Sequence, residues 1–99
     1  MPSANRDLDR ARQIVLDELR GRPAKVYLFG SWARNEARLY SDIDIGILPA
    51  EPLPPELLLD LADKLDQSEV LYPVDLVDLS TAPASLRDRV LAEGVLWTG

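Results

Sequence analysis

One short segment near the middle of the chain alternates acidic and apolar residues. Asp42 and Asp44 alternate with Ile43, Ile45 and Ile47. Side chains two residues apart on a β-strand point to the same face of the sheet, so the segment predicts a strand with one acidic face and one buried apolar face. Two acids on one face repel each other, and a hard divalent cation is the leading way to offset that cost. The chain is therefore expected to build a sheet that presents carboxylates on one side.

Patterns on both sides of this segment predict an α/β (or α+β) fold. Apolar residues recur at three- and four-residue intervals near both ends of the chain, which is typical of amphipathic helices. In order, the predicted elements are a helix over residues 3–20, a strand over 25–29, a short helix over 32–34, a strand over 42–48, a helix over 55–66, a strand over 74–79, a helix capped by Ser80 or Thr81 and ended by Gly94, and a terminal strand over 95–97. We expect residues 1–99 to form one domain, a small mixed sheet of three to four strands flanked by about four helices.

The composition restricts the chemistry. The chain has no cysteine and no histidine, which excludes disulfides, thiolate metal sites, imidazole bases and most zinc sites. The 17 acidic and 11 basic residues give a net charge of −6, which argues against direct nucleic-acid binding. No apolar run is long enough to cross a membrane and the first residues lack a signal segment, so we expect a cytoplasmic protein.

A glycine and a serine follow the first predicted strand. Gly30 allows a ligand to approach the backbone closely, and the free amides of the turn, together with the Ser31 hydroxyl, form a natural phosphate cradle. The chain contains neither GxxxxGK[ST] nor GxGxxG. A P-loop and a dinucleotide-binding fold are therefore not expected.

The third predicted strand offers two further acids. Asp75 lies inside an apolar run, whereas alternation puts Asp78 on the opposite face, with Val74 and Leu76. We favour Asp75 as the third carboxylate of the site and keep Asp78 as the alternative. Gly46, which follows Asp44 on the same face, is expected to leave space above the sheet. Three carboxylates from two strands can hold two magnesium ions for an in-line displacement at phosphorus.

The glycine turn and the acidic strand also lie at a characteristic spacing. The letters GSWAR at 30–34 and SDIDI at 41–45 leave ten residues between the Gly-Ser pair and the first acid of the D-x-D pair. This pattern resembles the signature of the polymerase-β-like nucleotidyltransferase superfamily. The compact length, the VDLVDL strand and the closing EGVLW are similar to its minimal nucleotidyltransferase branch, and the resemblance covers nearly the whole chain. Asn35 departs from the family pattern, which has glycine there, but asparagine also tolerates a left-handed backbone.

The resemblance implies a role for each residue of the two motifs. The implied magnesium ligands and catalytic residues are Asp42, Asp44 and Asp75. The implied nucleotide-binding residues are Gly30, Ser31, Arg34 and Ser41. In such a site Asp75 would also help to deprotonate the attacking hydroxyl. The implied cofactor is Mg²⁺, with two ions bound, and the implied substrate is ATP.

The branch further implies a partner protein. Minimal nucleotidyltransferases are commonly paired with a HEPN toxin, and some transfer AMP to a tyrosine of that toxin as its antitoxin. An alternative is a catalytically silent binding module that neutralises the HEPN partner by contact through the apolar residues 95–97. A Toprim-like metal nuclease would need a glutamate at the end of an earlier strand, where this chain has Gly30 and Ser31.

Overall fold

A computed structural model describes residues 2–34 and 42–97. In this part of the chain the helices are α1 (Pro2–Glu18), α2 (Pro55–Asp66) and α3 (Ala84–Glu93), and the strands are β1 (Ala24–Phe29), β2 (Ile43–Pro49), β3 (Val74–Asp78) and β4 (Val95–Leu96). The strands form one sheet in the order β3-β2-β1-β4. β1 is antiparallel to β2 and β4, whereas β2 is parallel to β3. The predicted small mixed sheet is confirmed.

The isoleucine face of β2 forms the centre of the core. Ile43, Ile45 and Ile47 are fully buried, as the alternation predicts. The helices α1 and α2 cover this face, and both contribute buried side chains to one cluster with β1 and β2. The core members from the two helices are Ala11, Val15, Leu61 and Leu65, and Leu19, which directly follows α1, joins them. Because both helices occupy the apolar face, the acidic face of β2 remains on the opposite side of the sheet.

The short helix predicted after the glycine turn is wrong. Residues 30–34 form a turn in which the Arg34 amide donates to the Gly30 carbonyl at 3.2 Å. One such hydrogen bond does not offset the entropy of fixing a helical turn. The described residues therefore contain three helices, one fewer than expected. None of these helices is long and apolar enough to cross a membrane.

The prediction that Ser80 or Thr81 caps the last helix is also wrong, whereas the prediction that Gly94 ends this helix is confirmed. Ser80 is engaged by Asp78, whose Oδ1 accepts hydrogen bonds from the Ser80 amide (2.9 Å) and hydroxyl (2.6 Å). This local ring of contacts favours a turn, so α3 begins only after Pro83, which makes no side-chain capping bond. Gly94 ends α3, and its amide donates to the Val90 carbonyl at 2.7 Å.

Gly46 does not leave open space above the sheet. The Leu79 amide donates to the Ile47 carbonyl at 2.8 Å, which brings the fully buried Leu79 side chain over Gly46. A Cβ at Gly46 would lie 3.0 Å from Leu79 Cδ1. The expectation of a vacant position is therefore wrong, because the chain beyond β3 folds back and fills it.

We expect Gly46→Ala to lower the free energy of unfolding by about 1–3 kcal/mol, because the added methyl group overpacks a buried site. Urea denaturation measures the change. A double variant with Leu79→Ala should show favourable coupling, since the smaller side chain removes the clash. An unchanged midpoint for Gly46→Ala would contradict this packing.

Candidate active site

The strand register brings two of the predicted carboxylates together. Asp44 on β2 is the Cα partner of Asp75 on the parallel neighbour β3, and register partners project from the same face of a sheet. Asp42 directly precedes β2. On the other side, Phe29 at the end of β1 is the partner of Asp44. The residue after Phe29 is Gly30, so the glycine turn and the acids share one end of the sheet.

The electrostatics of Asp44 follow from this arrangement. Burial raises the pKa of the Asp44 carboxyl above its ordinary value, and the charges of Asp75 and Asp42 raise it further. The Arg34 guanidinium opposes these effects and lowers the pKa. Asp75, Asp42 and Arg34 are thus all close enough to act on the Asp44 carboxyl. The dominant influence on Asp44 nevertheless disfavours its charged form.

Gly30 is required by the closeness of Asp44. Its φ is +76°, a left-handed conformation that side chains rarely adopt. A Cβ at this position would overlap Asp44 Oδ2. Ser31 follows in the same turn and is half-buried. The predicted phosphate turn therefore lies against the acidic face, while the predicted ligand Ser41 lies outside the described residues.

The alternative third acid is engaged elsewhere. Asp78 Oδ1 accepts two hydrogen bonds from Ser80, as described above. Asp75 is exposed and adjacent to Asp44. The geometry accordingly favours Asp75 as the third carboxylate of this cluster.

Comparison with known proteins identifies the family of the chain. Residues 15–98 match the family model described as polymerase beta, nucleotidyltransferase. The chain belongs to this nucleotidyltransferase family. The match confirms the resemblance seen in the sequence and decides against the Toprim-like nuclease.

Similar nucleotidyltransferases carry names that bear on activity. The protein adenylyltransferase MntA of Shewanella oneidensis is 41% identical over 73 residues, which cover 73% of this chain and 52% of that protein. This chain thus spans about half of the length of that relative. A toxin–antitoxin crystallised with AMP-PNP is 34% identical with a TM-score of 0.74, covering 89% of this chain and 73% of that chain. The tri-AMPylated Shewanella oneidensis HEPN toxin in complex with MNT antitoxin gives 30% identity, a TM-score of 0.71 and coverage of 96% and 71%.

The donor set of this nucleotidyltransferase suits a hard divalent cation. Asp42, Asp44 and Asp75 offer only carboxylate oxygens, which Mg²⁺ prefers. Burial and, after it, the charges of Asp75 and Asp42 raise the pKa of Asp44, and a bound cation would offset both effects. Among the residues that the structure describes, no three acidic side chains are already arranged as a complete metal site. The residues fit the ion by the chemistry of their donor atoms.

An aromatic contact next to the turn was not predicted. Trp32 is half-buried, and its ring meets Tyr72 edge-on, with centroids 4.9 Å apart and planes at 75°. Edge-to-face pairs of this kind are stabilising. The contact joins the glycine turn to the segment that precedes β3, and β3 carries Asp75. No periodicity in the sequence relates these two loops, so only the three-dimensional fold reveals the pair.

Proposed function

We propose that this nucleotidyltransferase transfers AMP from ATP to a hydroxyl acceptor, a tyrosine of a partner HEPN toxin, and acts as the antitoxin of that pair. The proposal rests above all on Asp44 and Asp75 lying side by side next to the Gly30 turn. It is supported by the adenylyltransferase name of the Shewanella oneidensis relative and by the AMPylated toxin in a similar structure. We place residues 1–99 in one domain that works in the cytoplasm, where ATP is supplied.

The residue roles belong to the same proposal. Asp42, Asp44 and Asp75 would hold Mg²⁺, with two ions in the complete site. The nucleotide phosphates would be bound by Gly30, Ser31, Arg34 and Ser41. The amides of the glycine turn and the Arg34 guanidinium supply hydrogen bonds and positive charge on the side of the sheet where the acids would otherwise repel a phosphate.

The reaction is an in-line displacement. The acceptor oxygen forms a bond to the α-phosphorus, and the bond from this phosphorus to the oxygen bridging to the β-phosphate breaks, releasing pyrophosphate. The hydroxyl proton passes to the Asp75 carboxylate, which is exposed and open to an incoming acceptor. Bound magnesium supplies charge neutralisation for the phosphates and the leaving pyrophosphate.

Label transfer tests the proposal directly. We expect the wild type, mixed with ATP labelled at the α-phosphate, Mg²⁺ and the HEPN protein, to label the toxin. The variant Asp42→Ala plus Asp44→Ala should lose this transfer by at least about a thousandfold, because the charge-stabilising groups are removed. The matched control is Asp78→Asn, since the asparagine oxygen still accepts from Ser80 outside the acidic cluster. Absence of label with the wild type, or equal label with the double variant, would refute the proposal.

The exposed end of the sheet favours a second candidate, neutralisation of the partner by contact alone. Val95 and Leu96 on β4 are 46% and 50% exposed, whereas Trp97 is buried. Two exposed apolar residues on an edge strand are suited to contact with another protein. Protection of cells from the toxin separates the two functions. A folded double Asp→Ala variant that binds the toxin but fails to protect rules out neutralisation by contact, whereas full protection supports it.

A further inference from the structure

A small pocket lies on the side of the glycine turn away from Asp75. Its volume is about 90 Å³, and its polar lining consists of Gly30, Arg34, Arg89 and Glu93. Pockets for drug-sized ligands are several times larger, roughly 300–1,000 Å³. The pocket is therefore of a size for a phosphate group and too small for a nucleoside.

The pocket extends a line of groups along one end of the sheet. Asp75, Asp44 and Phe29 are register partners on three adjacent strands, about 4.8 Å apart from strand to strand. Gly30 follows Phe29, and α3 packs against β1 beyond it. A triphosphate with its α-phosphate at the carboxylates therefore directs its β- and γ-phosphates towards the Gly30 turn and the pocket under α3.

The charges in the pocket suit that orientation. Arg34 and Arg89 contribute two guanidinium groups to the lining and Glu93 contributes one carboxylate, and the Arg34 charge also acts on Asp44. Arg89 is exposed, and among the described residues it forms no ion pair. Its guanidinium is accordingly available to a ligand. Guanidinium groups bind phosphate through paired, charge-assisted hydrogen bonds.

We propose that Arg89 of α3 binds the terminal phosphates of the nucleotide and so positions the leaving pyrophosphate. This inference rests on the proposed nucleotidyl transfer and adds a residue outside the two sequence motifs. The negative charge of Glu93 would repel the phosphates and weaken the binding of pyrophosphate, so that the product can dissociate. The site would therefore distinguish nucleotides by the length of their phosphate chain.

Calorimetric titration of Mg²⁺ complexes of ATP and pyrophosphate, and of AMP, tests the role of Arg89. We expect Arg89→Ala to weaken binding of ATP and pyrophosphate by at least about tenfold, the effect of losing one charge-assisted contact, and to leave AMP binding unchanged. Arg89→Lys should recover part of the loss, and Glu93→Gln should tighten pyrophosphate binding. A merely structural role for α3 would not produce opposite signs at these two positions.

The control is Arg87→Ala, which removes the same charge from the same helix outside the pocket lining. It should bind all three ligands like the wild type, and melting temperatures confirm that the variants are folded. ATP and pyrophosphate affinities of Arg89→Ala equal to those of the wild type would overturn this inference alone. Failure of the wild type to bind ATP would overturn the proposed function and the inference together. ATP binding that depends on Arg89 without label transfer would sustain the binding of the terminal phosphates by Arg89 and refute both the proposed reaction and the positioning of a leaving group.

Discussion

Gly30→Ala is expected to reduce AMP transfer by roughly a hundredfold or more, because a methyl group there displaces the Asp44 carboxylate, and a displacement of about 1 Å at a reacting centre has this scale of effect. The substituted residue must also hold a left-handed backbone, at a cost of about 1–2 kcal/mol. The label-transfer assay and binding of Mg²⁺–ATP measure the functional loss.

The chain provides a matched control for the backbone effect. Gly21 has a φ of +83°, close to that of Gly30, but a Cβ there would meet nothing within 4 Å. Gly21→Ala should therefore show a similar cost from backbone strain while retaining AMP transfer and ATP binding. Equal activities in the two variants would contradict the proposed contact between Gly30 and Asp44.

Asp44→Asn is expected to abolish AMP transfer and yet raise the melting temperature of the protein in the absence of divalent metal. Burial and the neighbouring acids raise the pKa of Asp44 in the folded state. A carboxyl group whose pKa is raised in the folded state opposes folding once it is ionised, so at neutral pH it is a net cost. The neutral amide of asparagine removes that cost, and thermal melts at neutral pH measure the gain.

The stabilising effect of Asp44→Asn should depend on pH and on divalent metal. The stability advantage of Asp44→Asn should shrink as the pH falls through the raised folded-state pKa towards the ordinary value of 3.8, because the wild-type carboxyl then becomes neutral. Mg²⁺ at about a hundred times its dissociation constant should stabilise the wild type by about 2.7 kcal/mol and the variant far less. Asp60→Asn removes the same charge from α2, on the opposite side of the sheet, and should respond to Mg²⁺ like the wild type. An equal response of wild type and Asp44→Asn would contradict a cation role for Asp44.

The sequence predicts the acidic strand well because its signal is local. Alternation alone establishes which side of β2 is buried, and it also puts Asp75 and Asp78 on opposite faces of β3. Both results depend only on the two-residue period of a strand. The sheet therefore follows from short-range geometry together with a parallel connection through α2.

Features that depend on contacts between distant segments could not be predicted from the sequence. The filling of the space above Gly46 depends on how Leu79 folds back after β3. The start of α3 is different, because it depends on local hydrogen bonds between Asp78 and Ser80 that compete with the predicted cap. The pocket containing Arg89 requires the orientation of α3 on β1. Neither period nor composition specifies such an orientation, because several rotations of a helix bury comparable apolar surface.

The parallel pairing of β2 with β3 has a consequence for the survival of the chain inside a cell. Asp44 and Asp75 become neighbours only after α2 has crossed between the two strands, and pairings of this long range are slow to form. A nucleotide or metal ion that contacts both acids would bind only chains in which this pairing has formed. Such binding would lower the fraction of unfolded chains, which are the ones that proteases cleave. We therefore expect depletion of such ligands to shorten the lifetime of the chain under proteolysis.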